Sequence, residues 1–210
     1  MNTQITPESK RYAITLTYLC NWNCDYCAVR NSVDWKPVVT RDDVLKKISC
    51  IEDGSDVTLF GGEPGMLPKH QLVEYIDILK SKQCRLFLET NGLFIRKYPE
   101  LLHEFQHVMY HCSMNLDEND KIDIVDDVET TYMLIVHDEN IGKLSRFLET
   151  HHEPEKFYIV EATYPHEKTG PTLSKTNKNR LLTRFSKRMT RDAIKRLING
   201  FDFNRIIFLT

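Results

Sequence analysis

The sequence Tyr12-Ala-Ile-Thr-Leu-Thr-Tyr-Leu-Cys20-Asn-Trp-Asn-Cys24-Asp-Tyr-Cys27 joins a short strand pattern to three closely spaced cysteines. Residues 12–18 are rich in β-branched and aromatic side chains and roughly alternate between apolar and polar, which predicts a β-strand. Thiolates bind iron–sulfur clusters, zinc or copper(I) in preference to hard cations. The three cysteines therefore predict a soft metal centre directly after the strand.

The number of cysteines narrows the kind of centre. A structural zinc ion takes four protein ligands, and a cubane cluster has four irons. No fourth Cys or His follows at ligand spacing, and the next cysteine, Cys50, lies beyond a predicted helix. A [4Fe-4S] cluster held here would keep one iron open to a ligand from outside the protein. The spacing alone leaves a zinc knuckle, or three unrelated thiols, as the alternative.

The C-x3-C-x2-C spacing, with Tyr26 directly before the last cysteine, resembles the signature of the radical S-adenosylmethionine (radical SAM) superfamily. The resemblance implies that Cys20, Cys24 and Cys27 bind a [4Fe-4S] cluster whose open iron binds SAM. It implies that an electron donor such as flavodoxin or ferredoxin reduces the cluster, and that SAM is cleaved to methionine and a 5′-deoxyadenosyl radical. That radical would abstract hydrogen from a substrate carbon. In the family, the aromatic residue corresponding to Tyr26 packs beside the SAM adenine.

Composition fits one globular domain. The chain has 210 residues, of which 41% are hydrophobic, enough for a sizeable core. No run approaches the roughly 20 apolar residues of a membrane span, and the N-terminus lacks the apolar core of a signal peptide. We therefore expect a cytoplasmic protein with reduced thiols. Outside the motif, Cys50, Cys84 and Cys112 are interpreted as buried structural thiols.

Strand and helix patterns alternate along the chain. Strands are predicted at 12–18, 56–60, 84–89, 107–115, 130–136 and 156–162. Amphipathic helices are predicted from an N-cap at Thr40 to a stop at Gly54, over 68–81, near 99–105 and over 140–151. Repeated β-α units imply parallel strands with helices on one face. The fold class is therefore α/β, and six such units suggest a partial (β/α)6 barrel like that of the radical SAM family.

A glycine-rich turn follows the second strand. Gly61-Gly62-Glu63-Pro64 stands where the superfamily carries its GGE motif. Glycine lets the backbone approach a ligand closely, because no Cβ is in the way. The resemblance implies that these four residues bind SAM, with Glu63 and the backbone near its amino group. Taken alone, the same four residues would indicate only a tight loop.

Two later strand ends add candidates. Glu89-Thr90-Asn91-Gly92 contains an Asn-Gly turn, and it also resembles the acidic-Thr-Asn-Gly turn of activating enzymes, which lies near the SAM methionine. Asn91 is therefore a candidate SAM ligand. Ser113 and Asn115 follow the fourth strand, where the family carries Ser-x-Asp against the SAM carboxylate or ribose. Here Asn replaces Asp, and an ordinary polar strand end is the alternative.

Charge divides the chain in two. Residues 1–164 carry 17 basic and 27 acidic residues, a net charge of −10, whereas residues 165–210 carry 11 basic and 3 acidic residues, a net charge of +8. We expect a barrel over 1–164 and a basic helical extension over 165–210, packed on or beside it. Phe203–Leu209 could form a final strand or an anchoring segment. The basic face of the extension would either pack on the acidic barrel or present an anionic substrate.

Three substrate classes remain open at this stage. A short barrel with a wide mouth favours a large substrate such as a protein glycyl loop. The basic extension favours a nucleotide or nucleic acid, because Lys and Arg neutralise phosphates. A small metabolite or peptide is the third class. The rival to an enzyme is a zinc- or cluster-bearing protein that binds nucleic acid without catalysis, against which the turn at Gly61–Pro64 argues.

Overall fold

Parallel strands form one sheet in the computed structural model, which describes residues 9–24, 27, 38–111, 128–136, 157–161 and 207–209. The described strands lie in the order β6-β5-β4-β3-β2-β1-β7, and every pairing is parallel. The predicted α/β architecture is confirmed, and the sheet is open. The strands are β1 (Arg11–Thr17), β2 (Asp56–Gly61), β3 (Arg85–Thr90), β4 (His107–His111), β5 (Glu129–Val136), β6 (Phe157–Glu161) and β7 (Ile207–Leu209).

The last strand returns to the first. Strand β7 pairs with β1 through Tyr12 and Ile207, Ala13 and Phe208, and Ile14 and Leu209. The predicted final strand is therefore present, and it adds a seventh strand to the six of the β-α series. The division of the chain after residue 164 stays a prediction, and the helices expected in the extension and over 140–151 lie outside the described residues.

Helix α1 (Arg41–Ser49) begins as predicted. Thr40 is its N-cap: the Thr40 hydroxyl accepts from the Asp43 backbone N–H at 3.2 Å, and Asp43 Oδ2 accepts from the Thr40 backbone N–H at 3.0 Å. This reciprocal pair is a capping box. The predicted stop at Gly54 is wrong, because the helix ends at Ser49 and Gly54 instead occupies a left-handed turn with φ +75°.

The remaining helices pack on one face of the sheet. Helix α2 (Lys69–Ser81) matches its prediction and buries Leu72, Tyr75, Ile76 and Leu79. The helix expected near 99–105 is a 3₁₀ helix over Pro99–Glu104. A short helix that the sequence did not indicate, α3 (Leu93–Lys97), follows β3 and buries Phe94 and Ile95. None of the described helices is both long enough and apolar enough to cross a membrane.

Alternation along the strands separates two faces of the sheet. One face shares the hydrophobic core with the helices and includes Ile14, Leu59, Leu88, Val108 and Tyr110. Cross-strand partners lie on the same face, so the register assigns the residues between these to the opposite face. That open face includes Thr15, Phe60, Phe87, Glu89, Met109, His111 and Met133.

A core substitution tests the assignment of the faces. Leu59 is 0% exposed in the central part of the sheet, so Leu59→Ala should lower the free energy of unfolding by about 2–5 kcal/mol, from lost transfer energy and a cavity. Val38 is 71% exposed, and Val38→Ala should change it by less than about 0.5 kcal/mol. Urea unfolding measures both values. Equal losses in the two variants would contradict this packing.

Candidate functional site

Three turns meet at one edge of the sheet. They follow β1, β2 and β3, which are neighbours in the parallel sheet, so their carboxyl ends lie side by side. Ligand sites in parallel α/β barrels gather at this edge. The turns are the cysteine loop after β1, the Gly61–Pro64 turn after β2 and the Thr90–Gly92 turn after β3. The sequence-predicted candidates that the structure describes all lie on these turns.

The cysteine loop carries three thiols outside any disulfide. Cys20 is exposed, Cys24 and Cys27 are half-buried, and none of them forms a disulfide. The Cys27 backbone N–H donates to the Cys24 carbonyl at 3.2 Å, and the Trp22 N–H contacts Cys20 Sγ at 3.4 Å. Partial removal of the Cys20 thiol from water raises its pKa, and the Trp22 N–H opposes that shift. An iron ion bound to the sulfur would displace the proton.

The donor set suits a cluster. Within the described part of the chain, no three Cys, His, Asp or Glu side chains converge on a position for a single metal ion. A cubane does not require such convergence, because each thiolate binds a different iron. Three thiols on one loop, none of them in a disulfide, therefore fit a [4Fe-4S] cluster with Cys20, Cys24 and Cys27 as ligands. These assignments stay predictions.

The other cysteines differ from one another. Cys84 is buried, as expected. Cys50 is exposed, so the interpretation of this residue as a buried thiol is wrong; its Sγ lies 3.4 Å from the Lys46 carbonyl at the end of α1. Cys112 lies outside the described residues. Neither described thiol lies in the turns that form the site.

The two glycines of the turn after β2 are packed against the stem of the cysteine loop. A Cβ on Gly62 would lie 2.3 Å from the Leu19 carbonyl oxygen, and one on Gly61 would lie 2.3 Å from the Thr17 carbonyl oxygen. The backbone N–H groups of Gly62 and Glu63 donate to Thr17 and Leu19 at 2.7 and 2.8 Å. The close approach that is expected for a ligand is made here by the backbone of Thr17 and Leu19. The sequence alone could not show whether the glycines give room to a ligand or to another part of the backbone.

The carboxylate of Glu63 is fully enclosed. Its side chain is 0% exposed. It accepts hydrogen bonds from the backbone N–H groups of Gly65 at 2.8 Å, Asn91 at 2.7 Å and Phe94 at 3.0 Å, and from the Thr90 hydroxyl at 2.9 Å. Burial raises the pKa of Glu63, and these donors oppose the shift. The carboxylate therefore fastens the turn after β2 to the turn after β3.

The other predicted residues are placed as follows. Pro64 is buried and opens a 3₁₀ turn over Pro64–Met66. Asn91 is 6% exposed and donates from Nδ2 to Asn21 Oδ1 at 2.9 Å, which brings it against the cysteine loop. Tyr26, Ser113 and Asn115 lie outside the described residues. The roles of all these residues toward SAM stay predictions.

Sequence reasoning missed a Glu–His pair on the open face. Glu89 Oε1 lies 2.6 Å from His111 Nε2, at the carboxyl ends of β3 and β4. Burial raises the pKa of Glu89, but the charge of a protonated His111 and its hydrogen bond together outweigh burial and lower the pKa of the carboxyl group. Alternation in 85–90 could have placed Glu89 on this face. The contact with His111 also needs the register of β3 against β4.

Comparison with a family model and with curated proteins gives concordant matches. The model of the radical SAM superfamily matches residues 14–141. A probable GTP 3′,8-cyclase of Saccharolobus islandicus (strain Y.N.15.51) is 33% identical over 86 residues, which is 40% of this chain and 27% of that protein. The GTP 3′,8-cyclase of Alkaliphilus oremlandii is 31% identical over 100 residues, 43% of this chain and 30% of that protein. The matches span less than a third of these relatives.

Solved structures share the fold at low sequence identity. The structure of anSMEcpe with bound AdoMet (SAM) aligns with a TM-score of 0.63 and 15% identity over 90% of this chain and 60% of that chain. SuiB of Streptococcus suis aligns with a TM-score of 0.58 and 12% identity over 96% of this chain and 49% of that chain. At this identity the likeness establishes the fold alone.

Replacing Glu63 tests the enclosed carboxylate. In Glu63→Gln an amide NH₂ must face at least one of the surrounding N–H groups, so a buried donor loses its acceptor. The free energy of unfolding should fall by about 1–3 kcal/mol, measured by urea unfolding. The control is Glu100→Gln, since the Glu100 side chain is 50% exposed and pairs with Lys69; its loss should not exceed about 1 kcal/mol. Equal losses would refute a special role for Glu63.

Proposed function

This chain belongs to the radical SAM superfamily, and on that premise we propose that it binds a [4Fe-4S] cluster and cleaves SAM reductively. Cys20, Cys24 and Cys27 would hold the cluster. When bound, the cluster supplies the electron that splits SAM into methionine and a 5′-deoxyadenosyl radical, which abstracts hydrogen from a substrate carbon. Membership in a family of enzymes favours this activity over the alternative of a nucleic-acid-binding protein without catalysis.

The proposal rests chiefly on one observation: the loop with the three cysteines is joined by hydrogen bonds to both neighbouring turns. A backbone hydrogen bond connects Leu19 to Glu63, and a side-chain hydrogen bond connects Asn21 to Asn91. A zinc knuckle would not need the two neighbouring turns. A centre that must hold both a cluster and a second ligand needs these adjoining turns fixed beside it.

We assign the SAM-binding surface to the same turns. Gly61, Gly62 and Pro64 would bring their backbone to SAM, and Glu63 would act by holding the turn in shape, since its carboxylate is enclosed by protein donors. Asn91 borders this surface. Tyr26 would complete the proposed SAM site beside the adenine, and Ser113 and Asn115 would complete it at the carboxylate or ribose.

The class of substrate is proposed from the relatives and the fold neighbours. The curated relatives are GTP 3′,8-cyclases, which supports a nucleotide, whereas a fold neighbour binds the Cp18Cys peptide, which supports a peptide. The relatives share 31–33% identity with this chain, and the fold neighbours 12–16%. We therefore propose a nucleotide as the first substrate to test and a peptide as the second. A flavodoxin or ferredoxin as electron donor and a cytoplasmic location remain part of this proposal.

Anaerobic reconstitution tests the cluster and the reaction together. The wild-type chain should bind about four irons and, with SAM and dithionite, release 5′-deoxyadenosine, followed by mass spectrometry. Cys24→Ala should lose both the iron and the product, whereas the control Cys84→Ala should keep both. Adding GTP or a cysteine-containing peptide should accelerate release where it is a substrate. Full iron content and product release in Cys24→Ala would refute the assignment.

Substitution of Gly62 tests the junction between the turns. If Gly62 served only the close approach of SAM, its substitution would weaken SAM binding and leave the cluster intact. The structure predicts that Gly62→Ala also lowers the iron content, because the new Cβ would meet the Leu19 carbonyl oxygen at 2.3 Å, one residue before Cys20. Iron per chain after anaerobic reconstitution is the measurement.

The matched control is Gly54→Ala. Gly54 has φ +75° but no heavy atom within 4 Å of an added Cβ. It therefore adds backbone strain of about 1 kcal/mol far from the site, without a clash. Iron content should stay at the wild-type level in this variant. The same iron content in Gly62→Ala would show that the stem of the cysteine loop can shift at no cost.

A further inference from the structure

Asn91 connects three segments of the chain through its side chain and its backbone N–H. Nδ2 lies 2.9 Å from Asn21 Oδ1 and 3.5 Å from Cys20 Sγ, both in the cysteine loop. Oδ1 accepts from the Leu93 backbone N–H at 3.2 Å, at the start of α3. The Asn91 backbone N–H donates to Glu63 Oε2 at 2.7 Å. Both ends of this residue are thus engaged.

These contacts fix which way the amide points. A backbone N–H can only donate, so the atom of Asn91 that faces Leu93 must be the carbonyl oxygen. The NH₂ group therefore faces Cys20 and Asn21. An asparagine amide has two N–H hydrogens, enough for the Asn21 oxygen and the Cys20 sulfur together. A reversed amide would place NH₂ against the N–H of Leu93 and is excluded.

A donor aimed at a cluster ligand has a defined electronic effect. Hydrogen bonds to the sulfurs are among the factors that set the reduction potential of iron–sulfur clusters. Reduction adds negative charge, part of which resides on the thiolate sulfurs, and an N–H group stabilises that charge. Partners of this kind also orient the ligands themselves. The contact of Asn91 with Cys20 can do both.

We propose that Asn91 is a positioning residue for the cluster, which holds Cys20 and Asn21 in place and raises the cluster's reduction potential through its N–H···S contact with Cys20. The inference rests on the proposed function, because it takes Cys20 as a cluster ligand. It gives Asn91 a role different from the SAM contact expected from sequence. Both amide hydrogens already have acceptors in the cysteine loop.

Glu63 extends this arrangement by one step. Its carboxylate holds the Asn91 backbone N–H at 2.7 Å and the Thr90 hydroxyl at 2.9 Å. The Thr90 Oγ1 in turn accepts from the Gly92 N–H at 3.0 Å. The buried carboxylate of Glu63 therefore fixes the turn that carries the Asn91 amide. Asn91 can hold the cysteine loop in place because Glu63 holds the Asn91 backbone.

The test measures the potential of the cluster in the full chain. Wild type, Asn91→Ala and Asn91→Asp are reconstituted anaerobically, and the cluster's midpoint potential is determined without SAM by an EPR-monitored redox titration. Asn91→Ala removes the donor, so the potential should shift to more negative values. Asn91→Asp also adds negative charge and should shift it further. Unchanged potentials in both variants would overturn the inference and leave the proposed function standing.

A matched control lies in the same loop. Asn23 is exposed between Cys20 and Cys24, and no hydrogen bond from its side chain to a described cysteine sulfur is present. The potential of Asn23→Ala should equal that of wild type. A shift as large as that of Asn91→Ala would mean that any change near the loop alters the cluster, which would overturn the specific role of Asn91. A wild-type chain that binds no cluster would instead refute the proposed function.

A measurement on unsubstituted protein covers the case in which both variants lose the cluster. Asparagine labelled with ¹⁵N at the side-chain amide is incorporated, the cluster is reduced, and pulsed EPR is recorded. A weak ¹⁵N coupling should be present, and it should persist in Asn23→Ala. Absence of any ¹⁵N coupling would show that no asparagine amide lies against the cluster, and would overturn the inference.

Discussion

The candidate site depends on the hydrogen bonds that enclose the buried carboxylate of Glu63. Moving a carboxylate out of water is costly unless donors replace its hydration. Here the replacements are N–H and hydroxyl groups of Gly65, Thr90, Asn91 and Phe94. Three of these four donors lie at or beyond the carboxyl end of β3, so enclosing the charge requires that part of the chain to lie against the turn after β2. A buried acidic group thus determines the distance between two strand ends.

A second constraint acts through the backbone and on a different strand. The N–H groups of Gly62 and Glu63 bond to the carbonyls of Thr17 and Leu19, and the absence of a Cβ on Gly62 permits this approach. Glu63 therefore joins β1 through its backbone and β3 through its side chain. Three strand ends are fixed relative to one another by protein contacts alone. A site built in this way is preorganised before any ligand arrives.

The elements could be predicted from sequence wherever periodicity is long enough. The strands and α2 follow clear patterns of period 2 and 3.6, whereas α3 spans only Leu93–Lys97 and is too short to show one. Cys50 could have been predicted as exposed, because the apolar pattern of this segment is formed by Val44, Leu45, Ile48 and Ile51 and does not include it. The direction of the Glu63 carboxylate could not be predicted from sequence, because a motif gives the residue type but not the register of β2 against β3.

The register of β3 determines both the packing of the core and the polar contacts of the site. Strand β3 is paired so that Leu88 lies beside Leu59 in the core, which puts Glu89 on the open face with His111 and returns Thr90 to the side of Glu63. A slip of one residue would exchange the two faces, burying Glu89 in the apolar core and turning Thr90 away from the carboxylate. The hydrophobic alternation of the strand thus excludes such a slip and keeps Thr90 on the side of Glu63. The same apolar residues that stabilise the sheet therefore position, two residues beyond Glu89, the asparagine that reaches the cysteine loop.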